Sequence, residues 1–115
     1  MAQVDLKDLT RGEVRMLTGQ PRGFNARKHY HMDDLDLSDE PVTIVAPEDL
    51  DTVTPSFVQG FLATSLRSLG EEKFRTKFNF DRLPSLLQDD FRLGIERVVW
   101  LGTSGRSKKF PPAKR

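Results

Sequence analysis

The chain has 115 residues, 18 Lys/Arg against 17 Asp/Glu, a formal net charge of +1 and a hydrophobic share of 37%. That is enough for one domain with its own core and too little for two. The absence of cysteine excludes disulfides, thiolate zinc sites, iron–sulfur clusters and cysteine nucleophiles. The longest apolar runs, Val42 to Pro47 and Val98 to Leu101, fall far short of the roughly 20 residues that span a bilayer. The opening MAQVDLKDLTRGEV is charged and carries no secretory apolar run, so the expectation is a cytoplasmic protein with no membrane partner.

In chain order, Gly12 to Leu17 reads as an edge strand or an arm, and Thr18 to Gly23 as turn chemistry with two glycines and a proline. Asn25 suits a helix N-cap, which predicts a short helix over Ala26 to Met32. The acids Asp33, Asp34, Asp36, Asp39 and Glu40 read as a solvated loop. Val42 to Ala46, rich in β-branched residues, reads as a buried strand.

The clearest element follows. Thr54 and Pro55 place a hydroxyl at an N-cap and proline at the first helical position. Phe57, Val58, Phe61, Leu62, Leu66 and Leu69 then make a wide apolar stripe, and Gly70 is a ready stop. A helix is predicted from about Pro55 to Leu69. Phe74, Thr76, Phe78 and Phe80 alternate with polar residues, the period of a half-buried strand. Pro84 opens a last helix with Leu87, Phe91, Ile95 and Val98 on one face and Leu86, Gly94 and Val99 beside it, ending at Gly102. A strand–helix–strand order implies neighbouring parallel strands, so the fold class expected is α/β, a sheet backed by helices.

Charge is unevenly spread. Residues 1–57 carry 6 Lys/Arg against 11 Asp/Glu, and residues 58–115 carry 12 against 6. The end RSKKFPPAKR holds five cations and no anion, which suits a nucleic acid or other polyanion or simply a solvated terminus.

Catalytic constellations are scarce. His29 and His31 form an H-x-H pair, but residues two apart on a helix face different ways; with the nearby acids they define a small metal-enzyme alternative. Gly102-Thr103-Ser104-Gly105 lacks the lysine–hydroxyl pair of a P-loop and reads as a linker. No metal or other cofactor is expected. The position that stands out is the start of the best helix. Free N–H groups and the positive dipole end favour a phosphoryl group there, on Thr54 or Ser56. The preceding Glu48, Asp49 and Asp51 oppose it by repulsion, so a phosphate could expel a partner instead.

The run VTIVAPEDLDTVTPSFVQGFLATSLRSLGEEKFRTKFNF resembles the STAS-like domains, relatives of the sulfate-transporter and anti-sigma-factor-antagonist fold. The resembling features are a hydrophobic strand, an acidic turn, a hydroxyl-Pro-Ser-Phe step into a helix, a glycine and a second strand, with Asn25-Ala26-Arg27 ahead of them. The likeness covers roughly Gly23 to Val99. It implies a small STAS-like sandwich with a mixed sheet backed by helices over 23–102, an N-terminal arm or edge strand over 1–22, and a basic flexible tail over 103–115.

It also implies no enzymatic activity. In the anti-sigma-factor antagonists a serine or threonine at the start of this helix is phosphorylated by a partner kinase, which releases the bound regulator. The equivalent positions here are Ser56 and, less well, Thr54. Those regulators show an Asp-Ser-Ser-Gly type step where this chain has Thr-Pro-Ser-Phe. The leading expectation is therefore a non-enzymatic regulatory module that docks a protein partner, such as a kinase-like ATPase, through Glu48, Asp49, Asp51 and Phe57. The alternative is a nucleic-acid or polyanion binder using the basic C-terminal half and tail.

Overall fold

The computed structural model describes residues 2–107, with side chains over 2–100. Its elements run β1 (Ala2–Asp5), α1 (Lys7–Thr10), β2 (Met16–Leu17), α2 (Gln20–His29), α3 (Met32–Leu37), β3 (Val42–Val45), β4 (Thr52–Val53), α4 (Pro55–Leu69), α5 (Glu71–Lys77), β5 (Phe78–Asn79) and α6 (Ser85–Ser107). The fold is α/β. Both sheets are parallel rather than mixed: a three-stranded one in the order β1-β3-β5 and a two-stranded one, β2-β4. Parallel neighbours cannot be joined by tight hairpins. Helices α1, α2 and α3 fall between β1 and β3 in sequence, and α4 and α5 between β3 and β5.

The central strand is the β-branched run read from the sequence. Val42 pairs with Ala2 on one side and Phe78 on the other, and Ile44 pairs with Val4. Residues 1–22 are thus not a separate arm: β1 is an edge strand of the larger sheet, β2 belongs to the smaller one, and Val4, Leu6 and Leu17 are buried in the core.

Helix α4 has the bounds its caps predict. Phe57, Val58, Gly60, Phe61, Leu62, Ala63, Ser65 and Leu66 are all buried, so it is enclosed on most of its circumference, with α2 and α6 packed against it. Each fully buried aromatic or aliphatic side chain contributes about 1.5–3 kcal/mol of transfer free energy. Close approach is allowed by absent side chains. A Cβ on Gly60 would lie 2.3 Å from the Gln20 carbonyl oxygen of α2, and one on Gly94 of α6 would lie 2.4 Å from the Val58 Cβ. At the other end Gly70 takes φ +83° and ψ 155°, a positive-φ but extended stop, and it also precedes the first residue of α5.

Several elements differ from the sequence expectation. Residues 71–77 are helix, and only Phe78–Asn79 are strand. Phe74 and Phe78 alternate with polar residues, but they are also four apart, one helical turn, and their rings stack at 4.7 Å. The Glu71–Arg75 ion pair at 3.0 Å and the Thr76 hydroxyl donating to the Glu72 carbonyl at 3.0 Å hold that turn as helix. The segment expected as a turn opens α2: Gly19 is the N-cap and Pro21 sits in the first turn, so Asn25 lies inside the helix. Asp33, Asp34 and Asp36 are not in a loop, because Met32 to Leu37 form α3 with Met32 and Asp36 buried; Asp39 and Glu40 follow it, exposed and outside any helix or strand. Helix α6 runs through Gly102 to Ser107, so 103–107 are helical and not a linker, and Leu86 is exposed rather than beside the core. The rest of the basic tail, 108–115, lies outside the described residues.

Candidate functional site at the start of helix α4

The local chain path is fixed by hydroxyl and backbone bonds. Thr54 has extended backbone angles, φ −86° and ψ 157°, and its N–H donates to the Leu17 carbonyl at 3.0 Å, which continues the β2-β4 ladder. Its Oγ1 accepts from the Phe57 N–H at 3.2 Å, the N-cap bond. The same oxygen accepts from the Gly19 N–H at 3.3 Å and meets Ser56 Oγ at 3.2 Å. One threonine hydroxyl therefore joins the beginnings of α2 and α4. Both helices start at this corner, so two positive dipole ends converge on it.

Thr54 and Ser56 are both half-buried, so the corner is open to solvent. Their roles differ. Thr54 Oγ1 is committed to two backbone donors, whereas Ser56 Oγ has a single hydroxyl neighbour. Pro55 has no N–H, Phe57 N–H is bonded to Thr54 Oγ1, and Val58 N–H bonds the Thr54 carbonyl at 3.1 Å. That leaves the Ser56 N–H as the first-turn donor with no acceptor among the described residues.

The acidic preamble lies between β3 and β4. Glu48 is exposed and Asp49 half-buried, its Oδ1 without a hydrogen-bond partner among the described residues. Asp51 is exposed but not a free anion. Arg15 grips it at two points, Nε to Oδ2 at 2.8 Å and Nη2 to Oδ1 at 3.3 Å, and the Asp51 N–H donates to the Arg15 carbonyl at 2.8 Å. Donating to Asp51, and then the charge of that carboxylate, hold the pKa of the Arg15 guanidinium above its ordinary value. Asp90 of α6 is the other local acid, accepting from Thr52 Oγ1 at 2.8 Å and from the Val53 N–H at 3.1 Å. Phe57, expected at a docking surface, is fully buried and packs 5.6 Å from the Phe61 ring. It belongs to the core because the first turn of α4 points its apolar face inward.

Beside Gly19 an open groove of about 700 Å³ is lined in part by Arg11, Thr18, Arg22, Asn25 and His29. His29 faces Asp8 at 3.6 Å, while His31 lines a different groove with Arg27, Asp33 and Asp34. The H-x-H pair therefore does not converge, and no group of three metal-ligating side chains forms among the described residues.

The sequence reading missed a buried ionic cluster farther along α4. Arg27, 8% exposed, donates from Nη1 to the Phe61 carbonyl at 2.9 Å and to Ser65 Oγ at 2.8 Å. Its Nη2 donates to Asp36 Oδ2 at 2.9 Å and to Asp33 Oδ1 at 2.5 Å. Ser65 Oγ in turn donates to Asp36 Oδ1 at 2.7 Å. The network ties α2, α3 and α4 together. The sequence signal was Ser65 within the apolar stripe of α4, a polar residue at a core position that needs a partner.

No family model, curated protein or solved structure matches the chain. No helix among the described residues is long and apolar enough to cross a membrane.

Proposed function

We propose that this protein is a non-enzymatic regulatory module that docks a protein partner at the corner where α2 and α4 begin, and that phosphorylation of Ser56 releases that partner. The observation that carries the reading is the division of labour between the two hydroxyls. Thr54 is consumed by capping, and Ser56 stands half-exposed beside a first-turn N–H with no acceptor among the described residues. The STAS-like resemblance of Val42 to Phe80 supports it, since the phosphorylated position of the anti-sigma-factor antagonists falls at this step.

In such a transfer Ser56 Oγ attacks the γ-phosphorus of ATP held by a partner kinase. The new O–P bond forms as ADP departs and the hydroxyl proton is lost to base or solvent. The product adds about 1.5–2 negative charges at neutral pH. It would sit on a helix N-terminus, which favours anions, and the nearby acid in sequence, Asp51, is paired with Arg15. The fold should therefore tolerate the phosphate while the surface changes sign.

The test is the full chain with phosphoserine installed at position 56, compared with the unmodified chain for retention of the partners it captures from cell extract under matched conditions. Loss of a specifically retained protein on phosphorylation, with the fold intact by circular dichroism, supports the reading. Retention unchanged removes the switch.

A further inference from the structure

Helix α6 has two apolar faces. Leu87, Phe91, Ile95 and Val98 are buried against the core, whereas Leu86, Leu93 and Trp100 are 72%, 51% and 46% exposed. At about 100° per residue the second set lies opposite the first. Leu86, Leu93 and Trp100 recur every seven residues, so they drift by only about 20° per step and form one narrow line. Single exposed apolar residues need no explanation, and Met16, Phe24 and Leu37 elsewhere follow no such repeat. A seven-residue line on the outer side of a helix is half of the seam along which helices pack; the intervening positions, Asp89, Asp90, Glu96 and Arg97, are charged.

We propose that this line is a self-association surface, on which a second copy of the chain lays its own α6 antiparallel about a two-fold axis at Leu93. Leu93 then meets Leu93 of the second copy, and Leu86 meets Trp100. The flanking charges select this occupant and this direction. Asp90 and Arg97 lie on one flank of the line, and Arg92 and Glu96 on the other; within the chain Asp90 already accepts from Thr52 and the Val53 N–H, and Arg92 pairs with Asp89 at 2.9 Å. The two-fold sets Arg97 of one copy beside Asp90 of the other, and Arg92 beside Glu96, each twice, so that these contacts can form only if Asp90 shares its oxygens with Thr52 and Val53 and Arg92 exchanges Asp89 for Glu96. A parallel arrangement brings Asp89 and Asp90 of the two copies to the same level, acid against acid. The contact spans about 21 Å at 1.5 Å per residue, one pair of helices, at the small end of specific interfaces. The dimer is therefore concentration-dependent rather than obligate.

Sedimentation velocity on the full chain from about 10 to about 500 µM, the range in which small interfaces assemble, should show a monomer–dimer equilibrium. Leu93→Glu should abolish it while leaving the thermal midpoint in place. Arg92→Glu should weaken the dimer about tenfold, and Arg92→Glu with Glu96→Arg should restore it. Because the chain has no cysteine, direction is read directly with a short bismaleimide: Leu93→Cys should cross-link to itself and Leu86→Cys should not. A chain that stays monomeric throughout, a dimer indifferent to Leu93→Glu, or self-cross-linking of Leu86→Cys would each overturn the proposal.

Discussion

Replacing Asp36 by alanine tests whether the buried ionic cluster organises the helical layer. The Arg27 and Asp36 side chains are 8% and 5% exposed. Asp36 accepts one bond from Arg27 and one from Ser65. Without it the guanidinium keeps only the Phe61 carbonyl, the Ser65 hydroxyl and Asp33, whose side chain is 84% exposed and therefore a screened partner. Removing one member of a buried pair costs about 3–5 kcal/mol, because the remaining charge is left uncompensated. The upper part of that range is moderated here by Asp33, so about 3 kcal/mol is the working figure. For a chain of this size that lowers the thermal midpoint by roughly 10–20 °C, readable by circular dichroism. The triple replacement Arg27→Met, Asp36→Leu and Ser65→Ala removes every charged or hydroxyl member and should be less destabilising than Asp36→Ala alone. If Asp36→Ala unfolds within about 1 kcal/mol of the wild type, far below the burial cost, the cluster is not the anchor described above.

Other outcomes follow from the same geometry. Thr54→Ala orphans the Phe57 and Gly19 N–H groups and should cost about 1–2 kcal/mol by urea titration, whereas Thr54→Ser should recover most of it. Gly60→Ala should destabilise by about 1–3 kcal/mol through overpacking against Gln20, despite the better helix propensity of alanine; net stabilisation would mean that α2 and α4 do not touch there. The single tyrosine, Tyr30, donates to the Asp5 carbonyl at 2.5 Å. Burial, and then the charges of Asp8 and Asp5, raise its pKa above the ordinary value of 10.0. A raised folded-state value means that its stabilising contribution is full below the unfolded pKa and is lost as pH climbs toward the folded one. Tyrosinate absorbance at 295 nm should therefore stay flat past pH 10 and rise together with loss of structure, and ionisation near 10 in a folded chain would contradict the assignment.

What the sequence revealed was written in strong local chemistry. Thr54-Pro55 and Gly70 delimit α4 because a cap, a proline and a glycine each act within one turn, and Val42 to Val45 show as strand because all four are β-branched, the first three of them buried. The losses arose where one pattern serves two structures. Phe74 and Phe78 satisfy both the strand and the helix period, and the ion pair Glu71–Arg75 decides between them. Pro21 marks a first helical turn as readily as a bend. The strand β1, Ala2-Gln3-Val4-Asp5, holds one β-branched residue, Val4, too weak a signal on its own. At the site, the hydroxyls were legible and their division was not, since Gly19, which takes up Thr54, lies 35 residues away in sequence. Phe57 was read as surface because proximity to Ser56 in sequence says nothing about which way a helix turns its face.

The most direct measurement is of phosphate position against partner retention. The chain would be incubated with ATP and the kinase activity of its own cell extract, mapped by fragment mass spectrometry, and its bound proteins quantified before and after. The account predicts phosphate on Ser56, none on the capping Thr54, and release of a retained partner in step with modification, reproduced by phosphoserine placed at 56 and not at the exposed Ser85. Phosphate confined to other positions, or a partner held equally well with Ser56 fully modified, would contradict it.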